Sequence, residues 1–196
     1  MHLIAGLGNP GEEYLRSRHN AGFMLIDRLA KAWDIELAKK RLFKAFVGRG
    51  FFNGIEVMIC KPLTFMNLSG YTVGALAKQF SVAPENVIVA HDDAALPLGA
   101  VRIRQGGSSF GGHNGLKSVA ASLAGASFTR LRLGIGARPN EIPALRDYVL
   151  GDFRSAEIKE FSAALEKAAG AVEQILGKGP AAAMNVYNVK SDKLEE

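Results

Sequence analysis

The stretch LIAGLGNPG, residues Leu3 to Gly11, decides between two folds. An apolar run leads into Gly6, Gly8 and Gly11, the G-x-G-x-x-G spacing with which a dinucleotide-binding turn brings its backbone to a pyrophosphate. In that fold the turn opens directly into a helix whose N-terminus holds the phosphates. Here helical periodicity is delayed. NAGFMLIDRLAKAW brings Phe23, Ile26, Ala30 and Trp33 to one face only from Asn20 onward, with Asn20 as the expected N-cap. Pro10 interrupts the fingerprint, and Glu12 and Glu13 would meet phosphates with like charge. The glycines therefore read as a sharp turn at the end of a first strand, stiffened by Pro10, and Asn9 becomes its chemically informative residue.

Working outward, KAFVGRGFF and IEVMICKP flank Asn53-Gly54, a pair suited to the positive φ angles of a type I′ hairpin. SGYTVGALAKQF reads as a helix capped by Ser69, and NVIVAHDD as a buried strand ending in acids. AVRIRQ and FTRLRLGIG alternate. They place Arg102 with Arg104, and Arg130 with Arg132, on faces opposite Ile103 or Leu131, Leu133 and Ile135. The glycine-rich GGSSFGGHNG and a short helix, LKSVAASLA, lie between them. The last third is helical, with Ile158, Phe161, Leu165, Val172 and Ile175 or Leu176 on one stripe and a second helix, PAAAMNVYN, after the break at Gly177 to Pro180. This order predicts one α/β domain over residues 1–189, a twisted mixed β-sheet flanked by helices with C-terminal helices, and a frayed tail over 190–196.

With 196 residues, 48% of them hydrophobic, the chain can bury one substantial core. A secretory leader and an apolar run of about 20 residues are both lacking, so a soluble cytoplasmic protein that does not engage a membrane is expected. Cys60, the single cysteine, excludes an internal disulfide or a cysteine zinc cluster and reads as a buried packing thiol. The net charge of +5 is unevenly spread. Residues 1–138 hold 17 Lys and Arg against 9 Asp and Glu, whereas residues 139–196 hold 7 against 10. A polyanion engaged through one face suits that asymmetry.

GSSFG, Gly107 to Gly111, satisfies the nucleophile-elbow pattern, but His113 is the only later histidine and no acid separates it from Ser109, so the hydrolase order of serine, acid and histidine fails. A loop serine is the better reading. More informative are His19, His91 and His113, each at a strand end or in a loop beside Asn or Asp: RHN, HDD and GHN. Loops at strand ends converge on ligand clefts in open α/β sheets, and Asn9 and Asn67 occupy comparable loops. Neither HExxH nor a cysteine set is present, so no metal is expected. The set suits acyl hydrolysis by water: an imidazole takes the proton, a carboxylate fixes its tautomer, and amide N–H groups hold the developing oxyanion.

Taken together, GLGNPGEEY, RHNAGF, KPLTFMNLSG, HDD before LPLGAVRIR, GGHNGLKS, FTRLRLGIGARP and YVLGDF resemble the bacterial type of peptidyl-tRNA hydrolase, in order over residues 3–153. The resemblance implies a monomeric α/β enzyme, without cofactor or obligate protein partner, that hydrolyses the ester joining a peptide to the 3′ end of tRNA. It makes His19 the general base and Asp92 the group that orients it. Asn9 contacts the peptide near its N-blocked first amide, Asn67 and Asn114 hold the peptide backbone and reacting carbonyl, and Tyr14, Phe65 and Met66 line the groove near the terminal adenosine. Arg102, Arg104, Lys117 and Arg130 or Arg132 become candidates for tRNA phosphates, contacts that position a substrate without reading bases. Alanines follow HDD where the family has bulkier or acidic residues, which leaves Asp93 as an alternative partner for His19. GGSSFGGHNG is about one residue longer than the family loop. Two other readings remain at this point: a catalytically silent RNA-binding relative and, more weakly, a nucleotide-dependent oxidoreductase.

Overall fold

The computed structural model describes residues 1–107, 109–125, 127–136 and 144–189; the expected frayed tail lies outside them. Seven strands form one sheet: β1 (His2–Gly6), β2 (Ala38–Lys40), β3 (Ala45–Phe52), β4 (Ile55–Pro62), β5 (Val87–Asp93), β6 (Val101–Gln105) and β7 (Thr129–Gly134). Their order is β2-β3-β4-β1-β5-β7-β6. The four central strands, β4, β1, β5 and β7, are parallel, and β3 and β6 flank them antiparallel. Asn53 and Gly54, at φ 47° and 79°, close the β3–β4 hairpin as the sequence predicts.

The central strands are apolar on both faces because both are covered. Ile4, Val57, Ile59, Ile88 and Leu131 meet α1 (Ala21–Ala32) and α5 (Ser155–Tyr187). Leu3, Ala5, Met58, Cys60 and Val89 meet α2 (Ser69–Gln79) and α3 (Asn114–Ser122). Cys60 is sealed in this second layer, and burial pushes its thiol up to about 12. Non-helical Gly179 kinks α5 just before Pro180, at the break seen in the sequence. The expected stripe needs one correction: Ile158 is exposed, and the buried face begins at Phe161. A short α4 (Leu145–Leu150) and the edge strand β2 carry too little periodicity to be read beforehand.

The connection from β4 through α2 to β5 crosses over β1, and open α/β sheets bind ligands beyond the carboxyl ends of the strands at such a reversal. The opening glycines bring the start of α1 against the carboxyl end of β1. A Cβ on Gly6 would lie 2.1 Å from the Gly22 carbonyl oxygen, and one on Gly22 would lie 2.4 Å from the Leu7 nitrogen. The role of Gly6 and Gly22 is to let two main chains meet. Gly6→Ala is therefore expected to lower the free energy of urea unfolding by about 2 kcal/mol or more, since two main chains must separate. Gly54→Ala, where a Cβ meets nothing but φ is +79°, should cost only the left-handed penalty of about 1 kcal/mol. Equal losses at the two positions would rule out the backbone contact as the cause.

Candidate active site

Asp92, near the end of β5, is 3% exposed, and its carboxylate is the centre of the site. Its Oδ1 accepts from Nδ1 of His19 at 2.8 Å and from Nε2 of His113 at 3.1 Å. Burial alone would raise its pKa, but the hydrogen bonds and charge of His113, followed by those of His19, outweigh burial and hold the carboxyl well below the usual carboxylate range. Asp92 is an anion at neutral pH.

The two imidazoles are held differently. His113 is the N-cap of α3, and its Nδ1 accepts the Leu116 N–H at 3.3 Å, so its proton sits on Nε2 and points at Asp92. His19 lies in a 3-10 turn, Arg18–Asn20, immediately before α1. Its Nδ1–H faces the carboxylate, which leaves the Nε2 lone pair as the basic atom of the pair. The rings stand 5.2 Å apart. Two imidazoles and a carboxylate also match a zinc ligand set. The protons argue against that use, because a metal on Nε2 of His113 would move its proton to Nδ1, against the Leu116 N–H.

His91 leaves β5 on the α2/α3 side. Its Nδ1–H donates to the Asp92 carbonyl at 2.7 Å, its ring meets His113 edge-on at 4.9 Å, and its Nε2 is buried without a partner among the described residues. The expected convergence of the three histidines is therefore present. Asp93, the alternative partner for His19, instead takes Nε of Arg132 at 2.6 Å.

Asn9 is buried in the turn after β1, and its Oδ1 accepts the Met66 N–H at 2.9 Å. Met66 is itself 5% exposed, although it was expected to line a substrate groove. At Gly115 a Cβ would lie 2.6 Å from Met66 Sδ, 2.9 Å from Leu7 Cδ1 and 3.0 Å from His113 Cε1, so the β1 end, the Met66–Leu68 turn and α3 meet there. Phe65 and Asn67 are exposed beside Met66, and Asn114 is exposed as the first residue of α3. Tyr14 is half-buried in the Glu12–Tyr14 turn. Ser69 is not the N-cap of α2: Leu68 holds that position, and Ser69 Oγ donates to the Met66 carbonyl.

Three of the four arginines assigned to phosphate have partners in the protein. Arg102 donates to the carbonyls of Tyr187 and Val189, Arg132 pairs with Asp93, and Arg130 is buried with its guanidinium on the Ser109 and Gly106 carbonyls. Arg104 and Lys117 are exposed and form no ion pair among the described residues. Arg18, which sequence reading passed over, is buried beside His19. It bonds the Asp152 carbonyl at 2.7 Å and Glu157 at 2.6 Å, and lies over the Tyr148 ring at 4.3 Å. Only its place in RSRHN hinted at this role.

His91 makes stability depend on acid. Burial, then the neighbouring His113, lower its pKa, with Asp92 and Asp93 only partly opposing them. The unfolded chain therefore takes a proton near pH 6.5 that the folded protein refuses, and stability falls as pH drops below that value toward the depressed folded pKa. His91→Phe should flatten the loss between pH 6.5 and 4 in urea unfolding, by up to about 1.4 kcal/mol per pH unit. Parallel curves for the two proteins would exclude His91 as its source.

A family model described as peptidyl-tRNA hydrolase matches residues 3–195. Peptidyl-tRNA hydrolase from Bacillus cytotoxicus is 47% identical over 188 residues, covering 96% of this chain and 100% of its own. The Gloeobacter violaceus protein of that name is 44% identical over 191 residues, covering 97% and 96%. The crystal structure of the peptidyl-tRNA hydrolase from Acinetobacter baumannii superposes with a TM-score of 0.88 at 36% identity, covering 96% of this chain and 95% of that one. With the sheet and the histidine pair in place, these likenesses establish that the chain belongs to the peptidyl-tRNA hydrolase family.

Proposed function

We propose that this chain hydrolyses the ester between a peptide and the 3′ end of tRNA with a water activated by His19, as a cytoplasmic monomer and without a covalent intermediate. The observation that carries the mechanism is the single buried carboxylate of Asp92 hydrogen-bonded to both His19 and His113. Nε2 of His19 takes a proton from water as the hydroxide attacks the ester carbonyl. Asp92 stabilises the imidazolium that forms, and the tetrahedral oxyanion is held by amide N–H groups of Asn67 and Asn114. The acyl–oxygen bond then breaks, and the imidazolium returns its proton to the departing ribose oxygen. Water's hydroxyl ends on the peptide and its proton on the tRNA.

His113 is a positioning residue in this scheme. Its Nδ1 is occupied by the Leu116 amide, so it steadies Asp92 rather than exchanging protons with substrate. Asn9 presents its side-chain NH₂ to the peptide near the first blocked amide, while Tyr14 and Phe65 flank the terminal adenosine. One chain supplies every group of the site, which supports action as a monomer. Among the described residues no helix is long and apolar enough to cross a membrane. A catalytically silent RNA-binding relative would have no use for a buried, doubly bonded carboxylate beside a basic nitrogen.

His19→Ala should lower turnover of N-acetyl-aminoacyl-tRNA by about 10²-fold to 10⁴-fold and leave tRNA affinity within a factor of a few. Unchanged turnover would overturn the assignment. Phosphate binding falls to the exposed Arg104 and Lys117. Replacing either with Ala should reduce the slope of log K against log salt by about one and weaken different tRNAs alike. A slope unaffected by both changes would place the phosphate contacts elsewhere.

A further inference from the structure

Asn20 directly follows His19, is 1% exposed, and has no part in the steps above. It stands where an N-cap of α1 is expected, yet its side chain makes no bond to the helix. Its Oδ1 instead accepts the Asn9 N–H at 2.8 Å, and its Nδ2 donates to the Asn9 carbonyl at 3.0 Å. One amide side chain thus satisfies both backbone groups of Asn9, as a neighbouring strand would.

The surroundings are fitted to this pairing. A Cβ on Gly8 would lie 2.9 Å from Asn20 Oδ1 and 2.7 Å from the Phe23 ring, so glycine lets the amide approach the turn. The Asn9 side chain is fixed in turn by the Met66 N–H on its Oδ1, which leaves its Nδ2 as the group that can donate outward. With the backbone clamped and the oxygen anchored, the NH₂ group has one direction in which to donate.

We propose that Asn20 is a positioning residue that acts through Asn9. It holds the general base, one residue before it in the chain, and the acyl-binding amide, eleven residues before it, as one rigid unit. This rests on the reading of Asn9 as a substrate contact. Without the Asn20 amide, both backbone groups of Asn9 lose their buried partner and the turn shifts relative to His19. A shift of about 1 Å in a positioning group is enough to cost up to about a hundredfold in rate.

The test is a double-mutant cycle of Asn9→Ala, Asn20→Ala and the pair, assayed on N-acetyl-aminoacyl-tRNA and on unblocked aminoacyl-tRNA. Each single change should lower kcat/KM on the blocked substrate by about tenfold to a hundredfold. The double variant should lose no more than the worse single, and Asn20→Ala should lower the preference for blocked substrate in step with Asn9→Ala. Multiplicative losses in the double variant, or an equal loss on both substrates for Asn20→Ala, would overturn the proposal as an independent structural effect. Full turnover by Asn9→Ala would instead overturn the reading of Asn9 and the proposal with it. If Asn20→Ala does not fold, Asn20→Asp carries the same cycle, since it keeps the acceptor for the Asn9 N–H and loses the donor to its carbonyl.

Discussion

The buried carboxylate of Asp92 is the constraint around which the site is arranged. An ion 3% exposed is costly unless its lone pairs are met, and here two imidazole N–H groups converge on one oxygen. Each donor comes from a different layer. His19 arrives with the start of α1 on one face of the sheet, and His113 with the start of α3 on the other. The ion can therefore be satisfied only when both helical layers are docked on the sheet, and loss of either donor leaves a partly unpaired buried charge, which is strongly destabilising.

The turn that carries His19 is pinned on both sides. Asn20 ties it to the turn after β1, and Arg18 ties it to the segment from Tyr148 to Glu157 through carbonyls, a carboxylate and an aromatic face. An extended bridge between Ser17 and Asp152 continues that attachment. Tyr148 Oη donates to the Ile135 carbonyl, so the same segment also reaches the end of β7. Three consecutive residues thus divide the labour: Arg18 holds the later chain, His19 meets the carboxylate, and Asn20 holds the earlier chain. The placing of the His19 ring thus depends on the contacts of its two chain neighbours.

Much of this was legible in the sequence, and the failures have physical causes. Strand and helix periods placed the central sheet, both hydrophobic layers and the break before Pro180, because burial on a fixed period leaves a pattern in the chain. The proximity of His19, His91 and His113 could be read from their positions at strand ends. Asn20 stands at the N-cap position of α1 as expected, but its side chain bonds Asn9 instead of the helix, and nothing local shows a partner eleven residues away. Ser69 failed for a related reason: the Met66–Leu68 turn runs directly into α2, so its hydroxyl bonds a carbonyl behind it. Ile158 has the helical spacing of the buried stripe but is exposed near the start of α5, one turn before the buried face begins at Phe161.

The arginines show how tertiary pairing redistributes a charge that the sequence locates only roughly. In the β6–β7 register Arg102 stands opposite Arg132 and Arg104 opposite Arg130, and like charges directly across a strand pair repel. Burial, and then the charges of Arg132 and Arg104, lower the pKa of Arg130 despite the opposing influence of Asp93. Protein groups relieve three of the four: Asp93 for Arg132, loop carbonyls for Arg130, and carbonyls at the end of α5 for Arg102. Arg104 alone stands exposed with no such partner among the described residues.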